Sequence, residues 1–74
     1  MNLEVVKAAR HNPLALGAVC EDITMELSPG GVRFQHDERT YWLIRYQTKI
    51  PTLKVGDEFY ADWVGCKYKF RVIG

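Results

Sequence analysis

A few stretches of the chain carry side chains suited to a reaction or a ligand. His36-Asp37-Glu38 sets an imidazole beside two carboxylates, the groups used in general acid–base catalysis. No nucleophile stands at a spacing that names a mechanism, and ionised residues packed between two strands are what a solvated turn uses. Cys66 falls at an expected hairpin tip, where its thiol would be exposed, but no base accompanies it and an exposed thiol alone is merely reactive. His11, Cys20, His36 and Cys66 are dispersed, without the paired spacing of a zinc site. A structural role on the Val32–Phe34 face suits His36 better. Gly30-Gly31 lies between two strands with no helix after it, so it is no phosphate loop. The expectation is therefore a protein that is not an enzyme and that carries no metal and no cofactor.

Basic side chains give a second kind of chemistry. Lys67, Lys69 and Arg71 project from one side of the last strand, with Tyr60 opposite Arg71. Cations interleaved with an exposed aromatic suit phosphate contact and base stacking. Glu58 and Asp62 share that face and cancel part of its charge.

These groups must be positioned by strands. From Glu58 to Val64, Phe59, Ala61 and Trp63 alternate with polar residues, and from Lys67 to Ile73, Tyr68, Phe70 and Val72 do the same. Period-two alternation rich in aromatic and β-branched residues is the mark of a half-buried strand. Gly65-Cys66 between them suits a two-residue type II′ turn, which pairs Trp63 with Tyr68, Ala61 with Phe70, Phe59 with Val72, and Asp62 with Lys69. Trp63 is then core, and Trp63→Ala should cost about 3–5 kcal/mol. Upstream, Ile23, Met25 and Leu27 face Val32, Phe34 and His36 across Ser28-Pro29-Gly30-Gly31, with Leu27 opposite Val32 and Glu26 opposite Arg33. After the polar break 37–40 comes a strand from Tyr41 to Gln47. An even loop selects Tyr41, Leu43 and Arg45 for the apolar face; a three-residue loop selects Trp42, Ile44 and Tyr46, and apolar burial favours the latter. Residues 48–52 read as a connection.

At the amino end, Asn2 could cap a short helix over Leu3 to Arg10, ended by Asn12 and Pro13; Leu3, Val5 and Val6 also suit a sheet edge. Residues 14–20 fit either a helix or a buried extended segment. The sum is a mainly β chain: five antiparallel strands in meander order, curled into a partly open barrel behind a short N-terminal helix, with α+β as the alternative. Residues 1–74 form one domain, near the lower size at which one core suffices.

Val55-Gly56-Asp57, Ala61, Trp63, Gly65, Tyr68 and Val72 resemble the small SH3-like barrels, the Tudor-type domains in particular. The likeness covers about a third of the chain at the level of pattern. It implies a small β-barrel and, at the aromatic positions Trp63 and Tyr68, walls of a cage that reads methylated side chains by cation–π attraction.

Composition frames the function. Net charge is +1 and 47% of residues are hydrophobic, which excludes a disordered chain. Lys7 and Arg10 against Glu4, Glu21, Asp22 and Glu26 leave residues 1–32 at −2, whereas residues 33–74 carry +3, too weak an asymmetry to imply nucleic acid alone. Neither a signal pattern nor a membrane-length apolar run is present, so a cytoplasmic protein with thiols kept reduced is expected. With Trp42, Ile44 and Tyr46 inside, Tyr41, Leu43, Tyr60 and Val64 stay outside beside Arg45 and Arg71, a composition typical of interface hot spots. Packing of residues 3–20 over part of that patch is the competing arrangement. The expectation is a protein–protein interaction module that modulates or inhibits a larger partner, of the kind found among bacterial, prophage and phage accessory proteins. Tyr41, Leu43, Arg45, Tyr60 and Arg71 would bind that partner. The alternative is a nucleic-acid-binding barrel using Tyr60, Lys67, Lys69 and Arg71. The open edge of the C-terminal strand could also pair two copies.

Overall fold

The computed structural model describes residues 1–44 and 52–74. Its elements are seven strands: β1 (Leu3–Ala8), β2 (Val19–Cys20), β3 (Glu26–Ser28), β4 (Gly31–His36), β5 (Arg39–Leu43), β6 (Glu58–Trp63) and β7 (Cys66–Val72). They form one antiparallel sheet in the order β2-β1-β7-β6-β5-β4-β3, curled into a half-barrel. The chain is mainly β as expected, but with seven strands instead of five and with no helix among the described residues. The expected helix over Leu3 to Arg10 is corrected to a strand. Leu3 and Val5 point inward against Val72 and Phe70, satisfying an edge that β7 would otherwise leave open. With β1 on one side and β6 on the other, the C-terminal strand has no free edge for a second copy. The sheet's edges are β2 and β3, two and three residues long. Residues 9–18 form an irregular crossing into β2, held to Val5 by Gly17 N–H and Ala18 C=O, so the stretch 14–20, which admitted a helix or an extended segment, is no helix and ends in a strand.

Alternation puts one side chain in two into a single core. Leu3, Val5, Cys20, Val32, Phe34, Tyr41, Tyr68 and Phe70 are the largest of its fully buried members. Phe34 stacks on Tyr41 with centroids 5.1 Å apart, Phe59 stacks on Phe70 at 5.6 Å, and Phe34 meets Phe70 edge-on at 5.2 Å. Aromatic pairs in such geometry add to what their buried area contributes. Among the described residues the core holds no buried charged side chain.

Two turns set the registers, and each differs from expectation. The β4–β5 turn is Asp37-Glu38, both left-handed with φ of 49° and 65°, so His36 pairs with Arg39 and Phe34 with Tyr41. The loop is thus even. Tyr41 goes to the core at 0% exposure, Leu43 packs half-buried against it, and the expectation of Tyr41 and Leu43 on the outside is overturned. The expected strand through Gln47 runs past Leu43 into residues 45–51, so Arg45 and Tyr46 lie outside the described residues, as does most of the 48–52 connection. In the last hairpin the turn is Val64-Gly65, with φ of 48° and 79°, one residue earlier than Gly65-Cys66. Moving the turn by one shifts each pairing by two, so the faces survive while partners change. Phe59 now faces Phe70, Ala61 faces Tyr68, Asp62 faces Lys67, Tyr60 faces Lys69 and Glu58 faces Arg71. Cys66 becomes the first residue of β7 and is buried, not a tip thiol. The β3–β4 register is as expected, Glu26 opposite Arg33 and Leu27 opposite Val32.

Val64 bears the cost of that turn. A β-branched residue at φ 48° is strained, and the side chain is 82% exposed, so little packing offsets it. Val64→Asn, which suits the first position of a type I′ turn, should raise stability by about 1 kcal/mol. A urea midpoint unchanged or lowered by the substitution would contradict this account of the turn.

Candidate binding surface

Neighbouring strands align their outward residues in rows across the convex face. One row runs Glu26, Arg33, Trp42, Asp62, Lys67; the next holds Tyr60, Lys69 and Lys7; a third holds Glu58, Arg71 and Glu4. Lys7 reaches this face only because of a bulge. Val5 pairs with Phe70 and Lys7 with Lys69, leaving Val6 as the extra residue. In an unbroken ladder Lys7 would face Tyr68 and point inward. A bulge that re-aims a side chain is a common device beside functional surfaces.

Glu58 is the electrostatic hub of the face. Its Oε2 accepts from Arg71 Nε at 2.9 Å and Nη2 at 2.8 Å, and its Oε1 lies 3.1 Å from Lys69 Nζ. These contacts hold the Glu58 carboxyl below its ordinary range and the Lys69 ammonium above its own. Lys69 also stands 5.5 Å from the Tyr60 ring centre. Arg71 approaches Glu4 at 3.9 Å as well, so its charge is largely answered within the face. Lys7 and Lys67 make no ion pair among the described residues.

Between these groups lies a groove of about 270 Å³ lined by Lys7, Ala8, Ala9, Tyr60, Lys67 and Tyr68. The side chains of Ala8 and Tyr68 turn toward the core, so the floor is largely the strands themselves. Tyr60 is 46% exposed at one wall. The arrangement offers an apolar seat with ammonium groups on its rim. It can hold a side chain or a ring and attract an anion beside it.

The expected site residues thus divide. Tyr60, Lys67 and Lys69 come together at the groove, and Arg71 stands one row away. Tyr41 is core, Leu43 is half-buried on the inner side, and Arg45 lies outside the described residues. Lys7 and Ala9 were missed, because a helix was expected there. The proposed aromatic cage does not assemble: Tyr68 is 1% exposed in the core, and Arg39 lies over the Trp63 ring at 5.4 Å. His36 sits 3.4 Å from Asp37 at its turn. Among the described residues no group of three or more His, Cys, Asp or Glu side chains could hold a metal ion, and no helix is long and apolar enough to cross a membrane. No family model matches the chain, and no curated protein or solved structure matches it significantly.

Proposed function

We propose that the chain is a small, non-catalytic protein–protein interaction module that seats part of a larger partner in the groove between Lys7, Lys67 and Tyr60 and modulates or inhibits that partner sterically. The observation that carries this reading is the pair Lys7 and Lys67, unpaired among the described residues, on the rim of an apolar-lined groove beside an exposed tyrosine. Exposed tyrosine beside cations over an apolar seat is the composition of an interface anchor point. The partner surface is acidic around an apolar group. Lys69 and Arg71 stand beyond the groove's rim, steering approach more than adding affinity. Both cysteines are free thiols, which supports a reducing, cytoplasmic setting of the kind accessory proteins occupy. From the SH3-like and Tudor-type resemblance this reading takes the small-barrel scaffold and leaves the methyl-reading cage aside.

A second reading, a nucleic-acid-binding barrel, is favoured by one fact: Tyr60, Lys67 and Lys69 converge, as base stacking and phosphate contact require. The two separate in one experiment. The tagged full chain and a Lys7→Glu/Lys67→Glu variant are each used to capture partners from lysate, with and without nuclease. The expected result is a discrete protein, retained after nuclease and reduced at least about tenfold by the double reversal. Retention that vanishes with nuclease, or that ignores the reversal, overturns the reading.

A further inference from the structure

The size and chemistry of the groove say more about its occupant, on the premise that the preceding reading is right. At about 270 Å³ it falls below the roughly 300–1,000 Å³ of sites that enclose a free ligand or cofactor. One large side chain fits within it. Its floor is the strand backbone at Ala8 and Tyr68, and its walls are Ala9, just beyond β1, and the Tyr60 ring on β6, an aromatic face against a small residue. Such a slot favours a planar ring, which stacks on or packs edge-to-face against Tyr60. The ammonium groups of Lys7 and Lys67 stand at the rim, so charges next to that ring are negative ones.

We infer that the groove takes an aromatic side chain from an acidic peptide segment of the partner, and that Glu58 competes with the segment's carboxylates for Lys69. Lys69 leans past Tyr60 to reach Glu58 at 3.1 Å. Its side chain is partly exposed, as is that of Glu58, so an incoming carboxylate exchanges one screened ion pair for another at little net cost. In the free protein Glu58 therefore holds back the third cation of the site. Charge placement also distinguishes a peptide from a nucleic acid. Carboxylates flank the groove's row on both sides, Asp62 in one neighbouring row and Glu58 with Glu4 in the other. A phosphodiester strand carries a charge at every nucleotide and must pass over them. A peptide places acids only where the lysines are.

The test is a titration of the ¹⁵N-labelled full chain, read at the backbone amides of Lys7, Ala8, Tyr60 and Lys67. Four probes are used: the peptide Asp-Glu-Trp-Glu-Asp with blocked ends, the same peptide with Ala for Trp, the same peptide with Lys for every acid, and a ten-nucleotide oligothymidylate. Saturable shifts at those amides are expected with the first peptide, weakened about tenfold or more when either the ring or the acids are removed. Glu58→Gln should tighten the first peptide about threefold, with Glu58→Ala repeating the gain and the amide spectrum of each variant confirming the fold. Equal binding of the Trp and Ala peptides overturns the aromatic occupant, and unchanged affinity in both Glu58 variants overturns the competition, while the protein-binding reading stands in either case. Shifts produced by the oligonucleotide and not by any acidic peptide overturn both.

Discussion

Phe70→Ala should bring the protein to the edge of unfolding, with a loss of about 3–5 kcal/mol measured by urea denaturation. Phe70 is fully buried on β7, the strand that both halves of the sheet share, and it touches Phe34, Tyr41, Phe59 and Tyr68. Its removal leaves a void that β1 and β6 cannot close, because both are fixed to β7 by their own ladders. A chain of 74 residues has a total stability of roughly 4–11 kcal/mol at ordinary per-residue values, so this single deletion consumes a large part of it. Trp63→Ala is the informative contrast. Trp63 is the larger ring but only half-buried, with Arg39 over its face, so it should cost about 1–2 kcal/mol, well below the 3–5 expected of a core residue. Equal losses from the two substitutions would mean that the core is not centred on the Phe34–Phe70 cluster.

That contrast shows where sequence patterning succeeds and where it stops. Alternation correctly assigned Phe59, Ala61, Tyr68, Phe70 and Val72 to one face, since a two-residue slip of the hairpin leaves every face unchanged. It did not locate the turn, because Gly65 suits either the first position of a II′ turn or the second of a I′ turn, and the ladder's own pairs decide. In the chosen register Phe59 stacks on Phe70 and Glu58 takes two hydrogen bonds from Arg71. For β5 even the face was misjudged. Asp37-Glu38 carries no glycine, so a tight left-handed pair was not visible there, and the stacking of Tyr41 on Phe34 that favours it is a tertiary contact. At β1 the bulge at Val6 interrupts period two and leaves a pattern that imitates a helix. The surface was legible in the same measure. Tyr60, Lys67 and Lys69 followed from the hairpin faces, whereas Lys7 required the bulge and the pairing of the first strand with the last, two long-range facts that no local pattern carries.

Alkali should unfold the protein between about pH 9 and pH 12. Burial pushes the Cys20 thiol from 9.0 up to about 11, with the Asp37 carboxylate adding to the effect. Burial likewise pushes the Tyr41 hydroxyl from 10.0 up to about 12, with Tyr68 and Cys20 nearby opposing a second negative charge. Tyr68 is raised for the same main reason. The Tyr41 hydroxyl has no hydrogen-bond partner among the described residues, so no donor stabilises its anion, and the nearby Arg39 charge offsets burial only in part. In the unfolded chain these groups release their protons at ordinary values, while the native chain keeps them to higher pH. Over that interval the native state binds more protons than the unfolded one, and stability must fall as pH rises. The neutral forms' advantage is intact below about pH 9 and is lost through the folded values near 11 and 12. A tenfold tighter hold on a proton corresponds to about 1.4 kcal/mol, so the two groups together remove a few kcal/mol, of the order of the whole stability. Urea midpoints measured from pH 7 to 11.5 should decline steeply above pH 9. Tyr41→Phe and Cys20→Ala should each flatten that slope, whatever they do to the midpoint at pH 7. A midpoint constant through pH 11 would place both side chains in contact with water. The half-barrel would then be open at the end where Tyr41, Cys20 and Tyr68 meet, and its core would have to be redrawn around a wet interior.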